Sequence, residues 1–198
     1  MEKNVTSLVQ SMLRQMGTNE AQHVYDIASH LPLLYTFAQH WSFGHVVELG
    51  VGYGFSTTAF LAGVTGAGQK LVSYDSDPQT ESIALKEFGI QVDNWAFRLK
   101  DSVAAAADFE DKTVSLWFLD TLHTYDKTKE ELETWLPKMH PYGVMCGHDY
   151  FLYRHENLFL ASQAGVHIAV DEFAKKYADR FRLQIFPHDR GLFVFWPK

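Results

Sequence analysis

Short apolar runs alternate with amphipathic stretches five times along this chain, at intervals of roughly 25 residues, and that rhythm constrains the fold more than any other feature. Residues 45–49 (HVVEL), 70–75 (KLVSYD), 95–99, 114–119 and 143–147 read as strands, the first stopped by Gly50, the second by Asp77-Pro78 and the fourth by Asp120. Residues 56–63, 80–88, 102–109, 125–136 and 166–178 read as the intervening helices. Strands joined through helices run parallel, with helices covering both faces of the sheet. The last two runs, 181–186 and 192–196, are joined by about five residues, too few for a crossover helix, so they must be antiparallel.

Ahead of this pattern, Val5, Leu8, Val9, Met12, Leu13 and Met16 fall on one helical face that Gly17 closes. Asn19 can cap a second helix running towards Leu31 or His40, with Pro32 expected as a kink or break. The expectation is one α/β domain over 1–198: a helical cover over 1–44 and a core over 45–198, with five parallel strands and a closing antiparallel pair.

Composition narrows the possible partners. Hydrophobic residues at 46% and charged ones at 21% are globular values. A net charge of −7 argues against a nucleic-acid surface, which needs a basic stripe. The lone Cys146 excludes a disulfide framework and a multi-cysteine zinc site, and fits a reducing, cytoplasmic setting. No apolar run approaches the roughly 18 residues of a membrane span, so no membrane partner is expected. A small-molecule substrate fits best, and the composition is compatible with a homo-oligomer.

The stretch Glu48-Leu49-Gly50-Val51-Gly52-Tyr53-Gly54 lies between the first strand and the first core helix. Glycines there let the chain turn and let a ligand approach the backbone. A dinucleotide site wants G-x-G-x-x-G, and here the third glycine arrives one residue early. Glu48 would repel a pyrophosphate and suits a ligand carrying positive charge. Asp75, at the end of the second strand, is placed to take the hydroxyls of a ribose. Asp101 and Ser102 follow the third strand, where an adenine amino group can be met. Asp120 and His123 follow the fourth strand, and His148 and Asp149 the fifth. Two imidazoles and two carboxylates over one cleft can do acid–base work or hold a divalent metal.

These residues resemble a known family. ELGVGYG looks like the first motif of class I S-adenosylmethionine-dependent methyltransferases, and Tyr74-Asp75 like their ribose-binding acid. The resemblance implies a Rossmann-like sheet in which Gly50, Gly52 and Gly54 face S-adenosylmethionine. It puts Glu48 near the methionine amino end, Asp75 at the ribose and Asp101 with Ser102 at the adenine, with Asp120 bordering the same site. Residues 119–150 and 165–177 are similar to a subgroup of small-molecule O-methyltransferases, among them metal-dependent enzymes that methylate sugar hydroxyls of macrolides. That similarity implies Asp120 and Asp149 as magnesium ligands and His123 as general base. His148 stands where those metal binders carry an acid, so the third metal position is an imidazole and a softer ion, or none, is implied.

The N-terminal cover (Tyr25, His30) and the loop after the fifth strand (Tyr150, Tyr153, Arg154, His155) are expected to shape an acceptor pocket. Residues 150–164 lack periodicity and have the character of a lid. Two rival functions fit the same sheet: a non-catalytic S-adenosylmethionine binder and a nicotinamide-dependent oxidoreductase.

Overall fold

The computed structural model describes residues 27–64, 69–80, 94–154, 162 and 164–198. Seven strands form one sheet: β1 (His45–Leu49), β2 (Leu71–Asp75), β3 (Trp95–Leu99), β4 (Val114–Leu119), β5 (Met139–Gly147), β6 (Phe181–Phe186) and β7 (Leu192–Pro197). Their order is β3-β2-β1-β4-β5-β7-β6. β1 pairs in parallel with β2 and β4, β2 with β3, and β4 with β5. β7 runs antiparallel between β5 and β6, as the short connection requires. The topological switch lies at β1 and β4, where open α/β sheets bind ligands at their carboxyl ends.

The helices are α1 (Leu31–His40), α2 (Phe55–Gly63), α3 (Ser102–Ala105), α4 (Tyr125–Trp135) and α5 (Val166–Lys176). Pro32 starts α1 rather than breaking a longer helix, because a proline in the first turn gives up an N–H that has no partner there anyway. The fifth strand begins at Met139, four residues before the expected Gly143. Proline is tolerated in its first residues, before the buried part of the strand begins. The helix expected over 102–109 narrows to α3 and a 3-10 turn. The helices expected over 4–16 and 80–88, most of the segment leading from Asn19 into α1, Tyr25, and His155 lie outside the described residues.

Both faces of the sheet are apolar, because alternate residues of each central strand point to opposite sides. Val46, Leu116 and Phe118 pack with Leu34, Phe37 and Phe60 beneath α1 and α2. Val47, Trp117 and Leu119 pack with Leu132, Trp135 and Phe173 beneath α4 and α5. Trp117 and Trp135 stack at 6.0 Å. Cys146 is a buried, free thiol in this core. Trp196 is only partly covered, at the margin against Phe37 and Trp41. Among the described residues no helix is long and apolar enough to cross a membrane.

Candidate active site

The glycine turn is built by close approach. Gly50 has φ +86°, and a Cβ there would lie 1.9 Å from the Asp120 carbonyl oxygen, so the ends of β1 and β4 meet only through glycine. Backbone bonds from Gly50 N to Tyr74 O (2.9 Å) and from Asp120 N to Leu49 O (2.8 Å) seal the junction. Gly52, at φ +51°, is different: no atom comes within 4 Å of where its Cβ would be. It faces open space. Asp75 shapes the turn from the next strand, accepting from Val51 N (2.9 Å) and Gly52 N (3.2 Å) on one oxygen and from Asp77 N on the other.

Glu48 is not at the surface of this turn. It is fully buried and accepts hydrogen bonds from Ser56 Oγ (2.6 Å), Thr57 Oγ1 (2.8 Å) and Ser73 Oγ (2.5 Å). Burial pushes its pKa up to about 7 despite these donors. The carboxyl therefore braces β1 against α2 and β2 from behind, and it does not line the cavity that the sequence reading gave it. Gly54 likewise serves locally, as the left-handed residue that starts α2. Asp101 caps α3, accepting from Val103 N and Ala104 N, and pairs with Lys127 Nζ at 2.6 Å. The Ser102 hydroxyl turns inward to Glu131.

A cavity of about 230 Å³ opens at the switch point. Gly50, Val51, Gly52 and Ser56 line one side, and Asp120, His123, His148, Asp149 and Arg190 the other. The strand ends thus bring Asp120, His123, His148 and Asp149 together as the sequence suggests, with one change in detail. Asp149 has a left-handed φ of +61°, a conformation that aspartate tolerates better than most residues. Its Oδ2 lies 2.8 Å from His123 Nε2, and Asp120 Oδ1 lies 3.4 Å from the same nitrogen. Donor atoms of Asp120, His123 and Asp149 all fall within 4.8 Å of one another. The tight group is therefore completed by His123 and not by His148. His148 borders this group, its Nδ1 lying 3.4 Å from Asp149 Oδ2 and 3.9 Å from Asp120 Oδ2, and its ring packs edge-on against His30 at 5.7 Å.

Charges in this group answer one another. Burial opposes a charge on His123, but the Asp120 and Asp149 carboxylates outweigh it and push the pKa up to about 10. His148 is raised for the same reason against stronger burial, and Asp149 is held well below the usual carboxylate range by the two imidazoles. Arg190 Nη1 approaches Asp149 Oδ1 at 3.7 Å. Two buried atoms here, His148 Nε2 and Asp149 Oδ1, have no hydrogen-bond partner. Such groups are uncommon in a protein interior.

The cover reaches the site through Ile27, which lines the cavity, and through His30, whose Nε2 bonds to His188 O at 2.8 Å. Burial keeps His30 below its usual pKa and so neutral. The described part of the expected lid is tied down: Tyr150 OH donates to Asp171 (2.7 Å) and Phe151 N to Arg190 O (2.6 Å). Tyr153 and Arg154 pack against each other and against Phe151, away from the cavity lining. Sequence reasoning missed Arg190 and Glu131. Glu131 had a signal, since it shares the apolar side of α4 with Leu132 and Trp135; Arg190 had none beyond lying in a turn on the ligand-binding edge.

A sequence profile described as a methyltransferase domain matches residues 47–150, more than half of the chain. The chain belongs to this methyltransferase family. A search of curated proteins finds no match. Many solved structures share the methyltransferase's fold, among them the following three. The SAH-bound methyltransferase PaMTH1 of Podospora anserina superposes with a TM-score of 0.73 at 15% identity, over 96% of this chain and 87% of that one. The O-methyltransferase of Bacillus cereus in complex with SAH gives 0.70 at 16%, over 97% and 91%. TomG of Streptomyces achromogenes, an O-methyltransferase of tomaymycin synthesis bound to SAM, gives 0.71 at 14%, over 96% and 89%. Membership in a methyltransferase family sets aside the nicotinamide-dependent alternative.

Proposed function

We propose that this methyltransferase moves a methyl group from S-adenosylmethionine to a hydroxyl of a small-molecule acceptor. One observation carries the reading: the glycine turn and the Asp120–His123–Asp149 group line the same cavity. Gly52 leaves room for a ligand against the backbone. A carboxylate offers about four acceptor sites, and Asp75 has three in use, which leaves capacity for a ribose hydroxyl. The solved structures with SAM or SAH bound on this fold support the same donor.

Methyl transfer from a sulfonium is an in-line displacement: the new O–C bond forms as the S–C bond breaks, and positioning supplies most of the acceleration. The hydroxyl proton must leave near the transition state, and the second half of the cavity is where it goes. Asp120 and Asp149, with His123 as third donor, would fit a divalent cation in place of the imidazolium charge that His123 supplies between the two carboxylates. Such a cation would supply Lewis acidity to an oxygen bound there. A second reading rests on the 2.8 Å contact of His123 with Asp149: the carboxylate orients the imidazole as the proton acceptor. His123 must then first release the proton that its two neighbours stabilise.

Calorimetry should detect S-adenosylhomocysteine binding and none of NADH; the reverse result removes the donor assignment. Screening hydroxylated metabolites for S-adenosylhomocysteine release tests turnover. Chelation should abolish that turnover and manganese or magnesium restore it, whereas a chelator-insensitive enzyme leaves the His123 base reading alone.

A further inference from the structure

Glu131 is fully buried on α4, on the side of the helix that also buries Leu132 and Trp135. Its Oε1 accepts from Ser102 Oγ, and both its oxygens accept from Thr121 Oγ1, at 2.8 and 3.0 Å. Burial raises its pKa to about 7 despite these donors. A leucine or methionine would fill the same space without the desolvation cost of a carboxyl group. What an apolar side chain lacks is the capacity to hold two hydroxyls from different loops at once.

Those two loops stand apart at the carboxyl edge of the sheet, and only the second carries residues that line the cavity. Ser102 follows β3 and Thr121 follows β4, strands separated in the sheet by β2 and β1, or about 14 Å at the usual spacing. Thr121 lies between Asp120 and the loop that ends in His123. Glu131 is also the middle of a stripe at helical spacing. Lys127 Nζ pairs with Asp101, and Trp135 Nε1 donates to the Ser102 carbonyl at 2.8 Å. Three successive turns of α4 thus grip residues 101–102, while the central one also grips the residue after Asp120.

We propose that Glu131 is a positioning residue that fixes the donor-side turn at Asp101-Ser102 and the loop carrying Asp120 and His123 in one frame. The inference rests on the donor reading above and on the family resemblance that puts residues 101–102 at the adenine. Neither Ser102 nor Thr121 lines the cavity, so each acts on bound ligand only through the backbone it anchors.

Calorimetry with S-adenosylhomocysteine on the wild type, Ser102→Ala, Thr121→Val, Glu131→Gln and Glu131→Ala tests this. Thr121→Val should weaken binding about fivefold although Thr121 belongs to the acceptor-side loop, and Glu131→Ala about tenfold or more. In the Glu131→Ala background, Thr121→Val should have no further effect, and Glu131→Gln, which keeps one acceptor oxygen, should recover part of the affinity. A purely structural role would lower melting temperatures and leave the affinity of the folded protein unchanged. Wild-type affinity in Thr121→Val, or effects of Thr121→Val and Glu131→Ala that simply add, would overturn the proposal. If Glu131→Ala does not fold, the two hydroxyl deletions and Glu131→Gln decide it: their non-additivity supports the link and independence refutes it. A wild type that binds no S-adenosylhomocysteine overturns the donor reading and this inference together. Normal wild-type binding with unaffected variants overturns this inference alone.

Discussion

Glu48 and Asp149 are both carboxyl groups buried at the carboxyl end of the sheet, and the fold treats them in opposite ways. Glu48 is surrounded by three neutral hydroxyls, and burial favours its protonated form. Asp149 is surrounded by His123, His148 and Arg190, stays ionised, and keeps one oxygen without a hydrogen bond. Neutral donors make a fixed support, since nothing in the set gains by exchanging partners. An ionic group of mixed sign can exchange one cation for another and so belongs to the ligand. Glu48 is a brace behind the glycine turn, and Asp149 belongs to the group proposed to meet the acceptor.

The sharpest way to break the brace is Gly50→Val. A side chain at φ +86° pressed against the Asp120 carbonyl should cost about 4 kcal/mol or more, read by urea unfolding. Near wild-type stability would mean that β1 and β4 are not locked through that residue. His123→Ala attacks the other side: turnover should fall by about 10²–10⁴ while S-adenosylhomocysteine affinity changes less than about twofold. Loss of donor affinity instead would show that the two halves of the cavity are not separable.

Glu48→Gln sharpens the contrast in pH. Because burial raises the folded pKa of Glu48 from 4.5 to about 7, its contribution to stability is full below the unfolded value and declines as pH rises through about 7. The wild type should lose about 3 kcal/mol from this group between pH 4.5 and 8, taking roughly 1.4 kcal/mol per pKa unit. The variant should show a correspondingly shallower decline in unfolding free energy, with Glu131, His123 and His148, whose folded pKa values are also raised, supplying the slope that remains. Equal slopes would mean that Glu48 is not the buried acid described. The smallest effect on the fold belongs to Gly52→Ala. With open space around it, the cost should be only the roughly 1–2 kcal/mol of a left-handed alanine. Donor affinity should nevertheless fall about tenfold, and unchanged affinity would place the ligand elsewhere.

The sequence by itself determined the alternation of strands and helices, the antiparallel closing pair, the glycine turn, and the set of acids and histidines at the strand ends. These are legible because each follows from local backbone demands: a period of two or 3.6, a turn that needs left-handed φ, or a connection too short to cross over. Only the tertiary structure decided what those side chains face. Glu48 reads as a ligand contact until Ser56, Thr57 and Ser73 close around it from two other elements. His148 reads as the third member of the metal group until the left-handed backbone of Asp149 carries that carboxylate to His123. Glu131 stands out in the sequence only as an acid on an apolar helix side, and its role shows once loops 19 apart in sequence (102 and 121) are found to share it. In each case the partner is distant along the chain, and burial fixes the chemistry through neighbours that no local pattern names.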